Sequence, residues 1–165
     1  MRFAWLVLVA IIPQWLVFTL PATRSLIPDS VASVTLVLSQ IILLGFAWLN
    51  RRTPGFWLLG LGLVMNLAVI VVNGGFMPIS PETVRWLIPD TPEGTWKIGE
   101  RLGTGKDIVL LIEDTKLFFL SDRFRTADNP YYRVAFSAGD VVIALGAFWL
   151  LWSMGGKMKD RTQEE

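Results

Sequence analysis

Four apolar runs, each near the 17 to 25 residues that cross a bilayer as a helix, dominate the sequence and occupy residues 3–20, 31–49, 55–72 and 134–154. A soluble core formed by 165 residues could not enclose them all. A hydrophobic content of 53% and a mean hydropathy of +0.51 agree with the membrane class. The expected fold class is all-α membrane, with four transmembrane helices in one integral domain over 1–156. A structured extracytoplasmic segment is expected over 73–133 between the third and fourth helices, and a short solvated tail over 157–165. Eight Trp and ten Phe against two Tyr suit helix ends that sit at lipid headgroups.

The first run follows Arg2 and ends near Leu20-Pro21-Ala22, as a signal peptide would. Its apolar stretch is longer than a signal peptide's core and no small-x-small cleavage site follows, so a retained helix is expected. Pro13 lies inside it, which a membrane helix tolerates where neighbours satisfy the freed carbonyl.

Charge then orients the helices. Arg51 and Arg52 fill the tight turn between the second and third runs, and Lys157, Lys159 and Arg161 follow the fourth. Arg2 at the N-terminus carries the same sign. By the positive-inside rule all three places face the cytoplasm, giving a multi-pass protein of the bacterial inner membrane with both termini cytoplasmic.

Missing residue types limit the chemistry. Without Cys there is no disulfide, thiolate nucleophile or Fe–S cluster, and without His there is no imidazole for haem, most catalytic zinc or a Ser-His-Asp triad. No cofactor is expected. A net charge of +1 lacks the concentrated basic face of a nucleic-acid binder. Arg101-Leu-Gly-Thr-Gly-Lys106 departs from phosphate-loop spacing and reads as a flexible turn, with no nucleotide partner.

Within the 73–133 segment, Ser80-Pro81-Glu82 supplies an N-cap, a first-turn Pro and a first-turn acid, which predicts a short helix over 81–87, ended by Pro89 and Pro92. Residues 107–120 hold two apolar runs around an acidic turn, which predicts a small β-hairpin or a segment folded back onto the membrane surface. Leu117 to Leu120 would otherwise form an exposed patch, so they are expected to rest on lipid or on the bundle.

Each of the first three runs carries one amide, Gln14, Gln40 and Asn66, better suited to hydrogen bonding between helices than to a polar conduit. Gly60 and Gly62 favour close helix contact. Asn73-Gly74-Gly75 is an ordinary helix stop, and Asn73 and Gly74 could also present an amide and bare backbone to a substrate. Ser137-Ala-Gly-Asp140 fits a capping box in which Asp stands for the usual Glu or Gln. Asp122 lies beside Arg123 and Arg125, as a surface ion pair would. Taken together, Asp122 and Asp140 are the candidate catalytic residues, and Arg123 joins Asn73 and Gly74 as a candidate substrate contact. Two carboxylates sharing a proton can activate water without His, Cys or metal.

Asn73-Gly-Gly-Phe-Met-Pro78, Asp114-Thr-x-Leu117 leading to Leu120-Ser-Asp122, and Phe136-Ser-Ala-Gly-Asp140-Val-Val-Ile143 together resemble an uncharacterised bacterial family of small polytopic membrane proteins. That resemblance covers most of the chain and implies no biochemical activity. Asp122-Arg123, with Phe136, Asp140 and Ile143, also resembles the two motifs of lipoprotein signal peptidase, a four-span aspartyl peptidase. Phe119 and Ser137 stand where its motifs have Asn. This second resemblance implies an Asp122/Asp140 dyad at the outer face. The leading expectation is an accessory or interaction protein whose partners are the lipid bilayer and a membrane-protein complex. The alternative is an aspartyl membrane peptidase.

Overall fold

The computed structural model describes the chain except residues 93, 128, 130, 131 and 162–165, and gives the backbone alone for 156–161. Four longer helices carry the architecture: α1 (Trp5–Phe18), α3 (Asp29–Leu49), α4 (Phe56–Val72) and α6 (Ala138–Arg161). A single turn, α2 (Pro21–Arg24), joins α1 to α3. Two of these helices, α3 and residues Ala138–Gly155 of α6, are long and apolar enough to cross a membrane, while α1 and α4 are apolar and shorter. Large apolar side chains point away from the protein all along them, including Leu8 and Trp15 on α1, Leu38 on α3, Leu61 on α4 and Leu151 on α6.

The helices pack in the order α1, α3, α4, α6. Polar and small residues set these contacts. Gln14 Nε2 donates to Ser39 Oγ at 2.6 Å between α1 and α3. Between α4 and α6 the backbones touch: a Cβ on Gly62 would lie 2.5 Å from the Gly139 carbonyl oxygen, and one on Gly146 would lie 2.6 Å from the Leu59 nitrogen. Such close approach lets dispersion hold the two apolar helices together. Gly60, grouped with Gly62 by the sequence, has only the Ala47 Cβ at 3.8 Å.

α4 ends in a Schellman turn. The Gly75 N–H donates to the Ile70 carbonyl at 2.8 Å, and Gly75 at φ +90° seats against Ser33 of α3. The chain then enters β1 (Met77–Ile79), buried along its length, and α5 (Pro81–Leu87), whose Ser80 hydroxyl accepts from the Thr83 N–H as the sequence predicts. β1 pairs in parallel with β2 (Asp107–Val109), Met77 opposite Asp107. Ile79, Val84 and Val109 form a small core beneath Leu87, Trp96 and Leu102.

The hairpin is displaced from its expected place. The segment before β2 folds back on it, with the Gly99 N–H on the Val109 carbonyl at 2.7 Å and the Leu102 N–H on the Asp107 carbonyl at 2.8 Å. Residues 103–106, within the 101–106 stretch expected as a flexible turn, are the tip of this hairpin. The downstream apolar run instead becomes a 3₁₀ turn, Phe118–Leu120, in which Leu120 packs on Leu36, Val69, Ile70 and Met77 while Phe119 stays exposed.

The fourth apolar run is likewise divided. Its first residues form β4 (Ala135–Phe136), antiparallel to β3 (Phe124–Arg125), and the rings of Phe124 and Phe136 stack at 5.7 Å. α6 starts only after Ser137 and continues to Arg161, so the expected tail from 157 begins as helix; residues 162–165 lie outside the described residues.

Candidate functional site

Asp140, Asp122 and Asn73 each belong to a separate hydrogen-bond network. Ser137 and Asp140 form the reciprocal cap expected of them: the Ser137 N–H donates to Asp140 Oδ2 at 2.9 Å and the Asp140 N–H donates to Ser137 Oγ at 3.0 Å. The cap is extended by Asn66 of α4. Its Nδ2 donates to Asp140 Oδ1 at 2.8 Å, and its Oδ1 accepts from Ser137 Oγ at 2.9 Å. Both Asp140 oxygens therefore have donors, and the cap doubles as a polar joint between two helices.

Asp122 is held differently. It is 2% exposed, its N–H donates to the Pro78 carbonyl at 3.2 Å, and its Oδ2 accepts from Lys106 Nζ at 2.6 Å. The surface pairing expected with Arg123 or Arg125 does not form. Arg123 lies over the Phe118 and Phe124 rings at 4.9 and 5.6 Å, and Arg125 pairs with Glu82 at 3.1 Å. The reason is direction: Asp122 turns inward under β1, so the hairpin tip brings Lys106 to it.

Lys106 also stands 3.4 Å from Asp107 Oδ1. One ammonium thus serves two carboxylates, and Asp122 Oδ1 and Asp107 Oδ1 are buried without a hydrogen-bond donor among the described residues. Burial pushes the Asp122 carboxyl up from its ordinary range; Lys106 opposes this, while Asp107 and Asp140 add to it. Burial works against the Lys106 charge, yet Asp107 and Asp122 outweigh it and hold the ammonium above its ordinary range. The two acids do not share a partner: Asp122 has Lys106, and Asp140 has Asn66 and the Ser137 N–H.

Asn73 fastens the following loop to α4. Its Nδ2 donates to the Val69 and Lys116 carbonyls at 2.8 Å each, and its Oδ1 accepts from the Lys116 N–H at 3.0 Å. The Asn73 amide is thereby fully engaged in the chain itself. Gly74 is exposed beside it.

Arg101 is the anchor that the pattern of residues did not single out. With its side chain 4% exposed, it donates to the Gly105 and Thr104 carbonyls at 2.6 Å each and to Asp29 Oδ1 at 3.0 Å, and it lies over Phe18 and Phe76 at 5.1 and 5.4 Å. It locks the hairpin tip to α1 and α3. Among the described residues no group of three or more His, Cys, Asp or Glu side chains is placed to hold a metal ion.

These features define a small, mostly helical protein with two helices able to cross a membrane and a polar joint between α4 and α6. The chain belongs to DUF5317, a family of unknown function, which it matches over residues 1–152. It is similar to an uncharacterized protein of Thermotoga maritima, with 31% identity over 129 residues, covering 66% of this chain and 76% of that protein. No solved structure matches the chain.

Proposed function

We propose that this chain is a four-span integral protein of the bacterial inner membrane, both termini cytoplasmic, that acts without catalysis as an accessory or interaction protein. Its 73–137 segment is the part that meets a partner or the lipid surface. One observation carries this reading: the segment turns its polar anchors, Arg101, Asp122 and Asn73, inward, and leaves Ile112, Phe119 and Phe124 exposed. Apolar side chains left outward suit contact with lipid or an apolar protein face.

A nitroxide attached at Phe119→Cys in liposomes tests it, the chain having no native Cys. The label should be shielded from a water-soluble relaxant and accessible to oxygen, or shielded from both in a complex. Collision rates equal to those of a freely solvated label would sink the reading. A Cys at Gly94, labelled by an impermeant maleimide in intact cells, tests orientation and should react from outside.

The aspartyl-peptidase alternative is supported by the raised Asp122 carboxyl, to which the Asp140 charge adds a minor share. Against it stand the separate partners of the two acids. Cleavage of a prolipoprotein-type substrate that is lost in both Asp122→Asn and Asp140→Asn would restore it.

A further inference from the structure

The opposite end of the bundle carries a second set of unabsorbed features. Asn50, 5% exposed, caps α3 and draws in the N-terminus: the Arg2 N–H donates to its Oδ1 at 2.7 Å and its Nδ2 donates to the Arg2 carbonyl at 2.9 Å. Arg2 is thereby fixed beside Arg51 and Arg52 of the α3–α4 turn. The three arginines, with Asn50 and Thr53, line a cavity of about 320 Å³. Among the described residues, no carboxylate forms an ion pair with any of the three.

Arg51 also borders a second space. A groove of about 250 Å³ runs between α3 and α4, lined by Leu44, Trp48, Trp57, Leu61 and Val64, with Gly60 as its floor. The Arg51 guanidinium lies 4.4 Å from the Trp48 ring centre and donates to the Trp48 carbonyl at 3.0 Å, and Trp48 meets Trp57 edge-on at 6.4 Å. One side chain thus closes a polar, cationic cavity on one side and an apolar groove on the other.

We propose that this pair of spaces is a binding site for one anionic glycerophospholipid, its phosphate among Arg2, Arg51 and Arg52 and one acyl chain along the groove. The inference rests on the membrane-spanning reading above. Guanidinium forks match phosphate oxygens in pairs, and basic pockets between membrane helices suit acidic headgroups. Trp48 and Trp57 stand where indoles sit, at the boundary between headgroup and chain. A free phosphate would fill the cavity and leave the groove unused; a zwitterionic lipid would set its own cation among three arginines.

The test is native mass spectrometry of the full chain, titrated in detergent with phosphatidylglycerol or phosphatidylcholine of the same acyl chains. Phosphatidylglycerol should be retained more strongly, with each arginine contributing about fivefold. Arg51→Gln with Arg52→Gln should cut the preference about 25-fold, leaving the roughly fivefold share of Arg2, and Arg51→Lys should keep part of what Arg51 supplies. Gly60→Leu, which fills the groove, should weaken both lipids. Equal retention of the two lipids by the native chain would overturn the site, as would displacement of phosphatidylglycerol by inorganic phosphate or by its deacylated headgroup at matching concentration. Carbonate washing of membranes separates the two levels. A chain released by carbonate overturns the membrane reading and this site together, whereas a retained chain without lipid preference overturns the site alone.

Discussion

Lys106 Nζ lies 2.6 Å from Asp122 Oδ2 and is the only hydrogen-bond donor the Asp122 side chain has among the described residues. Replacing Lys106 by Met would leave a buried carboxylate uncompensated. At about pH 8, where Asp122 is ionised, the loss should be on the order of 2–3 kcal/mol, below the usual range for a broken buried pair because Lys106 itself is half exposed. Thermal unfolding in micelles reads it. Adding Asp122→Asn to Lys106→Met should recover much of the loss. If the double variant is as unstable as the sum of its parts, the pair is not coupled.

The same pair gives a pH dependence. Burial raises the Asp122 carboxyl to about 7, so the folded chain holds that proton more tightly than the unfolded chain. Stability should therefore fall as pH climbs from the ordinary carboxylate range to about 7, by up to ~1.4 kcal/mol per pH unit, and level off above it. Lys106 is raised too, and its contribution is fully present below its ordinary pKa, so it leaves this window unchanged. Asp122→Asn should flatten the profile. A melting temperature that rises with pH across the window contradicts the assignment.

Asn66 is the joint between α4 and α6, with Asp140 on its Nδ2 and Ser137 on its Oδ1. Asn66→Leu should cost about 1.5–3 kcal/mol, the range for a hydrogen bond to a charged group. Asn66→Asp should cost more, since it sets a second carboxylate against Asp140. Unfolding of the two variants side by side checks the order; reversal would show that residues 66 and 140 do not oppose each other across the joint.

What the sequence made legible was local. The Ser80 cap, the α4 stop at Asn73-Gly74-Gly75 and the Ser137–Asp140 box each lie within a few residues, and each formed as read. The anchors that organise the 73–137 segment were not legible. Arg101 reaches Asp29 across 72 residues, and Lys106 reaches Asp122 across 16, with no periodicity to mark either. The hairpin lies elsewhere for a related reason: apolar residues 117–120 have strand-like composition, but the bundle core takes Leu120 in a 3₁₀ turn, and the glycine-bearing 103–106 turn forms the hairpin instead.

Gly60 and Gly62 give the sharpest contrast between pattern and structure. Two residues apart on α4, they face different surroundings: a Cβ on Gly62 would meet the Gly139 carbonyl oxygen at 2.5 Å and the Ile143 nitrogen at 2.9 Å, whereas one on Gly60 meets only the Ala47 Cβ at 3.8 Å. Beside these two backbone atoms the Cβ would also meet Ile143 Cγ1 at 2.6 Å; that side chain can turn aside, but the backbone atoms move only if the helices separate, and separation also stretches the Asn66–Asp140 bond. Gly62→Ala should thus cost about 1–3 kcal/mol, in the range for overpacking. Gly60→Ala should be neutral or slightly stabilising, because Ala loses less backbone freedom on folding. Unfolding of both variants under one set of conditions decides it. Equal effects would mean that α4 and α6 are not in backbone contact at Gly62.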